Sequence, residues 1–216
     1  MEYKDSGDIT NEKIEGVVTM VGGEYGNLKI DGVVTINGDL GAQDLDIDGV
    51  CTVNGGLSAK GFSCDGVLTV QGSVRAETID IDGVVTVDGA KLEADKIVCD
   101  GVLTVKGEIS ADVIEADGSI NAHEIVGDSI TIKSYWKKGL TKVLFNIAKK
   151  TRFRFSEIEL IEATTVNLRN VRAKSVNGHD VTIGKNCDIE RLDCSGTLKL
   201  DETAVVKEIT GGYTRI

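Results

Sequence analysis

The sequence predicts an all-β solenoid: a parallel β-helix that closes a turn every seventeen or so residues, interrupted once by a short helical insert. Three observations predict it. A motif recurs seven times, as IEGVVTM, IDGVVTI, IDGVCTV, CDGVLTV, IDGVVTV, CDGVLTV and ADGSINA, with glycines at 16, 32, 49, 66, 83, 101 and 118. Their spacings are 16, 17, 17, 17, 18 and 17 residues, and self-similarity at so fixed a period is the mark of a repeat architecture. Within each copy apolar and polar residues alternate, as strands require. No copy has room for the crossover helix of an ordinary parallel sheet.

Each copy reads as three short strands. In the first, Thr35, Thr52, Thr69, Thr86 and Thr104 sit between apolar pairs such as Val34 and Ile36, or Cys51 and Val53. A second glycine follows at 38, 55, 72, 89 and 107. The second strand ends in alanine, as in Leu40–Ala42 and Leu57–Ala59, and the third carries pairs such as Leu45 with Ile47 and Phe62 with Cys64. If the chain coils once per copy, equivalent side chains stack about 4.8 Å apart, the spacing between strands. A bore lined by repeated Val, Ile, Leu and Ala is narrow. That accounts for an aromatic content of only 4%.

The Asp-Gly steps mark corners. Glycine is expected there for positive φ, and aspartate for hydrogen bonds to nearby backbone amides. Asp31, Asp48, Asp65, Asp82, Asp100 and Asp117 then form a solvated column. A calcium ladder is the alternative, but the glycine-rich nonapeptide that binds calcium in other solenoids is missing. The five cysteines (51, 64, 99, 187, 194) replace aliphatic residues; Cys64 and Cys99 take the place of Ile47 and Ile81. They read as small buried hydrophobes, reduced and free. No metal or cofactor is expected, and no catalytic residue: His123 and His179 have no evident partner, and Cys194 has no nucleophile signature.

The pattern stops after Ile132. Residues 129–156 carry eight Lys or Arg and no acid, leaving sixteen basic against 35 acidic residues elsewhere, a balance of −19. Trp136, Leu140, Val143, Leu144 and Ile147 are spaced like one helical face, which predicts a basic amphipathic insert over 133–155. Three roles compete: a helix packed on the coil, an anionic membrane surface, or the acidic body of a neighbouring subunit or other protein partner. The candidate binding residues are Trp136, Lys137, Lys138, Lys142, Phe145, Lys149, Lys150, Arg152 and Arg154. Nucleic acid is disfavoured by the acidic remainder.

Strands resume at Ser156 with a looser period. The expected organisation is therefore a polar tail over 1–13, repeats over 14–132, the insert over 133–155, a continuation over 156–210 and a tail over 211–216. MEYKDSGDIT lacks a signal-peptide pattern, and no apolar run reaches the length of a membrane span. The expected location is cytoplasmic, with membrane association through the insert as an option.

The repeated I-D-G-V-V-T-V-x-G copies from Ile30 to Gly107 make the chain resemble the bactofilins, the bacterial polymer-forming cytoskeletal family. Asp112–Ala122 and Ile161–Gly184 fit as well. The likeness covers about 14–132 and 156–210. It implies a right-handed, three-sided β-helix that self-assembles end to end without nucleotide. Such a polymer is a scaffold that localises cell-envelope or motility machinery, not an enzyme. The chain departs from the family pattern in having no proline and in its basic insert. The residues leave two main alternatives to a scaffold. One is an envelope-binding adaptor that does not polymerise. The other is an acyltransferase, because IGKNCDI (183–189) is similar to one hexapeptide rung; a seventeen-residue period does not divide by six.

Overall fold

The computed structural model describes residues 11–134 and 155–216. The strands are β1 (Glu12–Ile14), β2 (Val17–Ile30), β3 (Val33–Ile47), β4 (Val50–Val53), β5 (Leu57–Cys64), β6 (Val67–Val70), β7 (Val74–Ile81), β8 (Val84–Val87) and β9 (Lys91–Cys99). They continue as β10 (Val102–Val105), β11 (Glu108–Ala116), β12 (Ser119–Lys133), β13 (Ser156–Arg169), β14 (Val171–Ile183), β15 (Asp188–Cys194), β16 (Thr197–Leu200), β17 (Val205–Thr210) and β18 (Thr214–Arg215). Pairings such as β3 with β5, β5 with β7 and β7 with β9 are parallel and join residues one repeat apart. The chain is a parallel β-solenoid of about 11 turns.

The register makes the stacking explicit. One inner ladder runs Ile14, Ile30, Ile47, Cys64, Ile81, Cys99, Ala116, Ile132 and on through Leu168 to Ile183. Another runs Leu40, Leu57, Val74, Leu92, Ile109 and Ile125. From Leu40 to Ile125 these side chains are at most 2% exposed. Each strand alternates inward apolar with outward polar residues, so each turn adds a thin layer of aliphatic core. A buried aliphatic side chain contributes about 1.5–3 kcal/mol by leaving water. Cys51, Cys64 and Cys99 occupy the aliphatic places expected of them, beside Val34, Ile47 and Ile81, and all five cysteines are buried and free. Burial alone pushes the thiol of Cys51 up to about 12, and it is the main cause of the same rise at Cys64 and Cys99.

Three details differ from the sequence reading. The second and third strands of each copy run together: β5 carries Leu57–Ala59 and Phe62–Cys64 in one element. At that corner the strand stays one element, but the ladder skips a pair, passing from Ala42–Ala59 to Asp44–Gly61 and from Ala59–Ala76 to Gly61–Thr78. The Asp-Gly corner is sharper. There the N–H groups of Asp65 and Gly66 both donate to the Ile47 carbonyl, each at 3.0 Å. Glycine is required there, but not for positive φ, which among the described residues is confined to Gly16, Gly38 and Gly211 for glycine. A Cβ on Gly49, Gly66, Gly83 or Gly101 would fall inside van der Waals contact of the corner-glycine carbonyl one turn below. Finally, the column aspartates of the first turns are held by lysines: Lys13 lies 2.9 Å from Asp31, and Lys29 lies 2.8 Å from Asp48. The backbone-capping acids are elsewhere, as when Asp39 accepts from the Gly56 N–H at 2.7 Å and Asp180 from Thr197.

No helix occurs among the described residues. The basic insert predicted over 133–155 begins too early, since Lys133 still belongs to β12 and pairs with Arg169; its residues 135–154 lie outside the described residues. The ladder runs on past residue 210, because β18 pairs with β16 through Thr197–Thr214 and Leu198–Arg215.

Candidate functional site

Two regions stand apart from the regular wall. The first is the pair of outermost turns. Among the described residues, Val17 to Tyr25 pair only with β3, and β17 pairs only with β15. Among the described residues, each therefore has a row of backbone donors and acceptors that no other strand pairs with. The inner ladders are uncovered at the same places. Val18 and Met20 are only partly buried, whereas Val34 and Ile36, the same positions one turn inward, are 1% and 0% exposed. Val206 and Ile209 likewise are partly buried, against 0% and 1% for Ile189 and Leu192. Val17, Val205 and Ile216 stand 86%, 56% and 72% exposed beside them.

The second region is the seam between the end of β12 at Lys133, followed by Ser134, and the start of β13 at Ser156, preceded by Phe155. The step from Ile132 to its ladder partner Leu168 is 36 residues; without the twenty of 135–154 it is 16, one ordinary turn. The seam is polar and closed. The hydroxyls of Ser134 and Ser156 are 2.7 Å apart, and Ser156 Oγ accepts from the Ile120 N–H at 3.0 Å. Asn170 donates through Nδ2 to the Ser134 carbonyl at 2.6 Å, and Asn186 donates to Asn170 Oδ1 at 2.9 Å. Both asparagines have positive φ, 55° and 58°, which asparagine tolerates better than other non-glycine residues. The sequence shows the Asn-rich corners, but nothing in it foretells the serine pair.

Beside the seam lies a hollow of about 880 Å³. Its charges are arranged as rungs: Arg172 meets Glu157 at 3.3 Å, Lys174 meets Glu159 at 2.7 Å, and Lys207 meets Glu190 at 3.3 Å. The Lys174 ammonium is the main cause of a Glu159 carboxyl held below its usual range. Arg172 also lies 4.2 Å over the Phe155 ring. Facing acids and bases neutralise each other here, so the hollow offers no single-signed field. His123 reaches Glu159 at 3.4 Å, and His179 Nδ1 lies 3.1 Å from Ser195 Oγ; both histidines are surface residues. Asp180, beside His179, is occupied by Thr197, and Ile183–Ile189 is one corner of the same coil.

Of the residues expected to bind a membrane or partner, Trp136, Lys137, Lys138, Lys142, Phe145, Lys149, Lys150, Arg152 and Arg154 all lie outside the described residues. Their neighbours Ser134 and Phe155 show where that segment departs. Among the described residues no helix is long and apolar enough to cross a membrane, and no group of three or more His, Cys, Asp or Glu is placed to hold a metal ion.

The fold and these regions define the chain as a parallel β-solenoid with open outer turns. No family model matches it, and no solved structure matches it. Over 52 residues it is 42% identical to the uncharacterized protein YhbE of Bacillus subtilis (strain 168), a stretch of 24% of this chain and 22% of that protein.

Proposed function

We propose that this protein is a bactofilin-like structural scaffold, a right-handed, three-sided β-helix that stacks end to end without nucleotide. The observation that carries the reading is the uncovering of the inner ladders at both outermost turns. An edge strand with free backbone groups invites another strand, and solenoids need capping to stay soluble as single molecules. Here each open edge coincides with exposed aliphatic residues. A second copy set on either end would continue the ladders and cover Met20, Val18, Val206 and Ile209. The acidic wall favours the ends over random lateral contact, since like charges repel most where the approach is broad. A polymer of this kind positions other components, and the resemblance to bactofilins points to cell-envelope or motility machinery.

The seam closes through bonds of coil residues alone, and the basic segment that it brackets is assigned to a membrane or a protein partner. The adaptor reading uses the same feature without polymerisation. Sedimentation and negative-stain microscopy distinguish them. The wild type is expected to form filaments, and Met20→Arg or Ile209→Arg, at the partly exposed end positions, to shift the population to short or single particles with an unchanged circular dichroism spectrum. A wild type that stays monomeric at high concentration overturns the scaffold reading.

A further inference from the structure

One strip of the coil surface carries no charge in its two central columns over six turns. It consists of the outward residues on the first strand of each copy: a valine column from Val17 to Val102 and a threonine column from Thr19 to Thr104, both in register. Val17, Val33 and Val50 are 86%, 49% and 43% exposed, and they belong to this single column. The strip has two unlike edges. On one side runs the Asp-Gly corner column, including Asp48, Asp65 and Asp82. On the other run Asn37, Asn54 and Gln71, with Asn54 Nδ2 donating to Asn37 Oδ1 at 2.9 Å. Asp88 and Lys106, paired at 2.7 Å, close that edge at the fifth and sixth copies.

We propose that this strip is a self-pairing face on which a second copy of the chain lies side by side, coil axes parallel. The edges decide the orientation. Two copies can meet face to face in two ways. With axes antiparallel, each column meets itself, and the aspartate column of one copy lies against that of the other. With axes parallel, the column order is reversed across the contact. The aspartates then meet the asparagine and glutamine edge, and valine meets threonine. Like charges set against each other across an interface repel and suppress that arrangement, so charge selects the parallel pair. The acidic character of the rest of the chain makes other faces poorer choices.

The size of the strip sets when pairing matters. Six turns span about 24 Å at 4.8 Å per step, and three outward columns about 13 Å across. That is about 300 Å² per copy, well under the roughly 800 Å² per partner of a standard interface. Isolated molecules would part quickly, but strips repeated along a row of copies bind together through avidity. The inference therefore rests on the end-to-end reading above.

The test uses the full chain, whose native cysteines are buried. Val33→Cys and Thr35→Cys chains are mixed, assembled and mildly oxidised; Val33→Cys mixed with Val84→Cys reports the antiparallel pair. The expected result is filaments two coils wide and a disulfide dimer from the first mixture alone. Thr52→Lys or the more exposed Val17→Lys should reduce these to single-width filaments and abolish the cross-link. Cross-linking in the second mixture only, or single-width wild-type filaments, overturns the pairing. So does flotation of wild type on uncharged phosphatidylcholine vesicles that Thr52→Lys abolishes, which would give the strip to a membrane. A chain that forms no filament overturns the end-to-end reading, and the pairing with it.

Discussion

Gly83 shows how a repeated residue can be conserved in kind along one chain for a reason its type alone does not reveal. A methyl at this position would press on the backbone carbonyl of Gly66, which is itself fixed by the ladder. Neither partner is a flexible side chain tip, so the strain cannot be relieved locally. Gly83→Ala is expected to destabilise the coil by about 1–3 kcal/mol, the usual cost of forcing extra atoms into a packed region. Gly23→Ala is the control: its added methyl approaches nothing closer than the Tyr25 ring at 3.9 Å. Urea denaturation of the two variants checks this, with a near-neutral effect expected for the second.

Charge at the same corners has the opposite sign of effect. Asp65 is held above its ordinary range, first by desolvation between turns and then by Asp82 and Asp48. A carboxyl whose folded value is raised favours the folded state most when protonated. Its contribution is fully present below the unfolded value and is lost as pH rises through the folded one. Asp65→Asn is therefore expected to raise the melting temperature at neutral pH. The gain should shrink on adding salt and disappear below about pH 3, where the native carboxyl is already neutral. A melting temperature that falls at neutral pH would contradict the argument.

At the scale of an element, the seam between β12 and β13 is the instructive case. The coil loses no register across the excursion, since Asn121 pairs with Glu157 and Lys133 with Arg169 over the same pair of strands. The bonds that close it belong to Ser134, Ser156, Asn170 and Asn186, all within the coil. Replacing residues 135–154 by two glycines should thus leave the thermal unfolding midpoint within a few degrees of wild type, because the bonds that close the seam are all made by residues of the coil. A large loss of stability would show that the twenty residues support the wall. The sequence signals the interruption through its charge reversal. It does not signal that departure and return are adjacent, because that depends on a distance between serines 22 positions apart.

For the molecule as a whole, the outer turns and the strip follow from one property of solenoids. Every interior turn is covered twice and every outer turn once, so identical ladder positions differ in exposure only by their place along the axis. Met20 and Ile36 illustrate it: the sequence presents them as equivalent, yet only Ile36 is fully buried. The same holds across the strip, where Val17 is twice as exposed as Val50.

By itself the sequence determined the architecture. A fixed period near seventeen makes each side chain the neighbour of its own equivalent, so the repeat specifies register and core together and places Cys51, Cys64 and Cys99 in the ladder. It also located the interruption. Only the tertiary structure decided why the corner glycines are needed, that Lys13 and Lys29 hold the first acids of the column, that the seam closes on itself, and where apolar surface is left bare. Those depend on distances between turns and on which turns lack a neighbour, and a pattern that repeats along the chain carries neither.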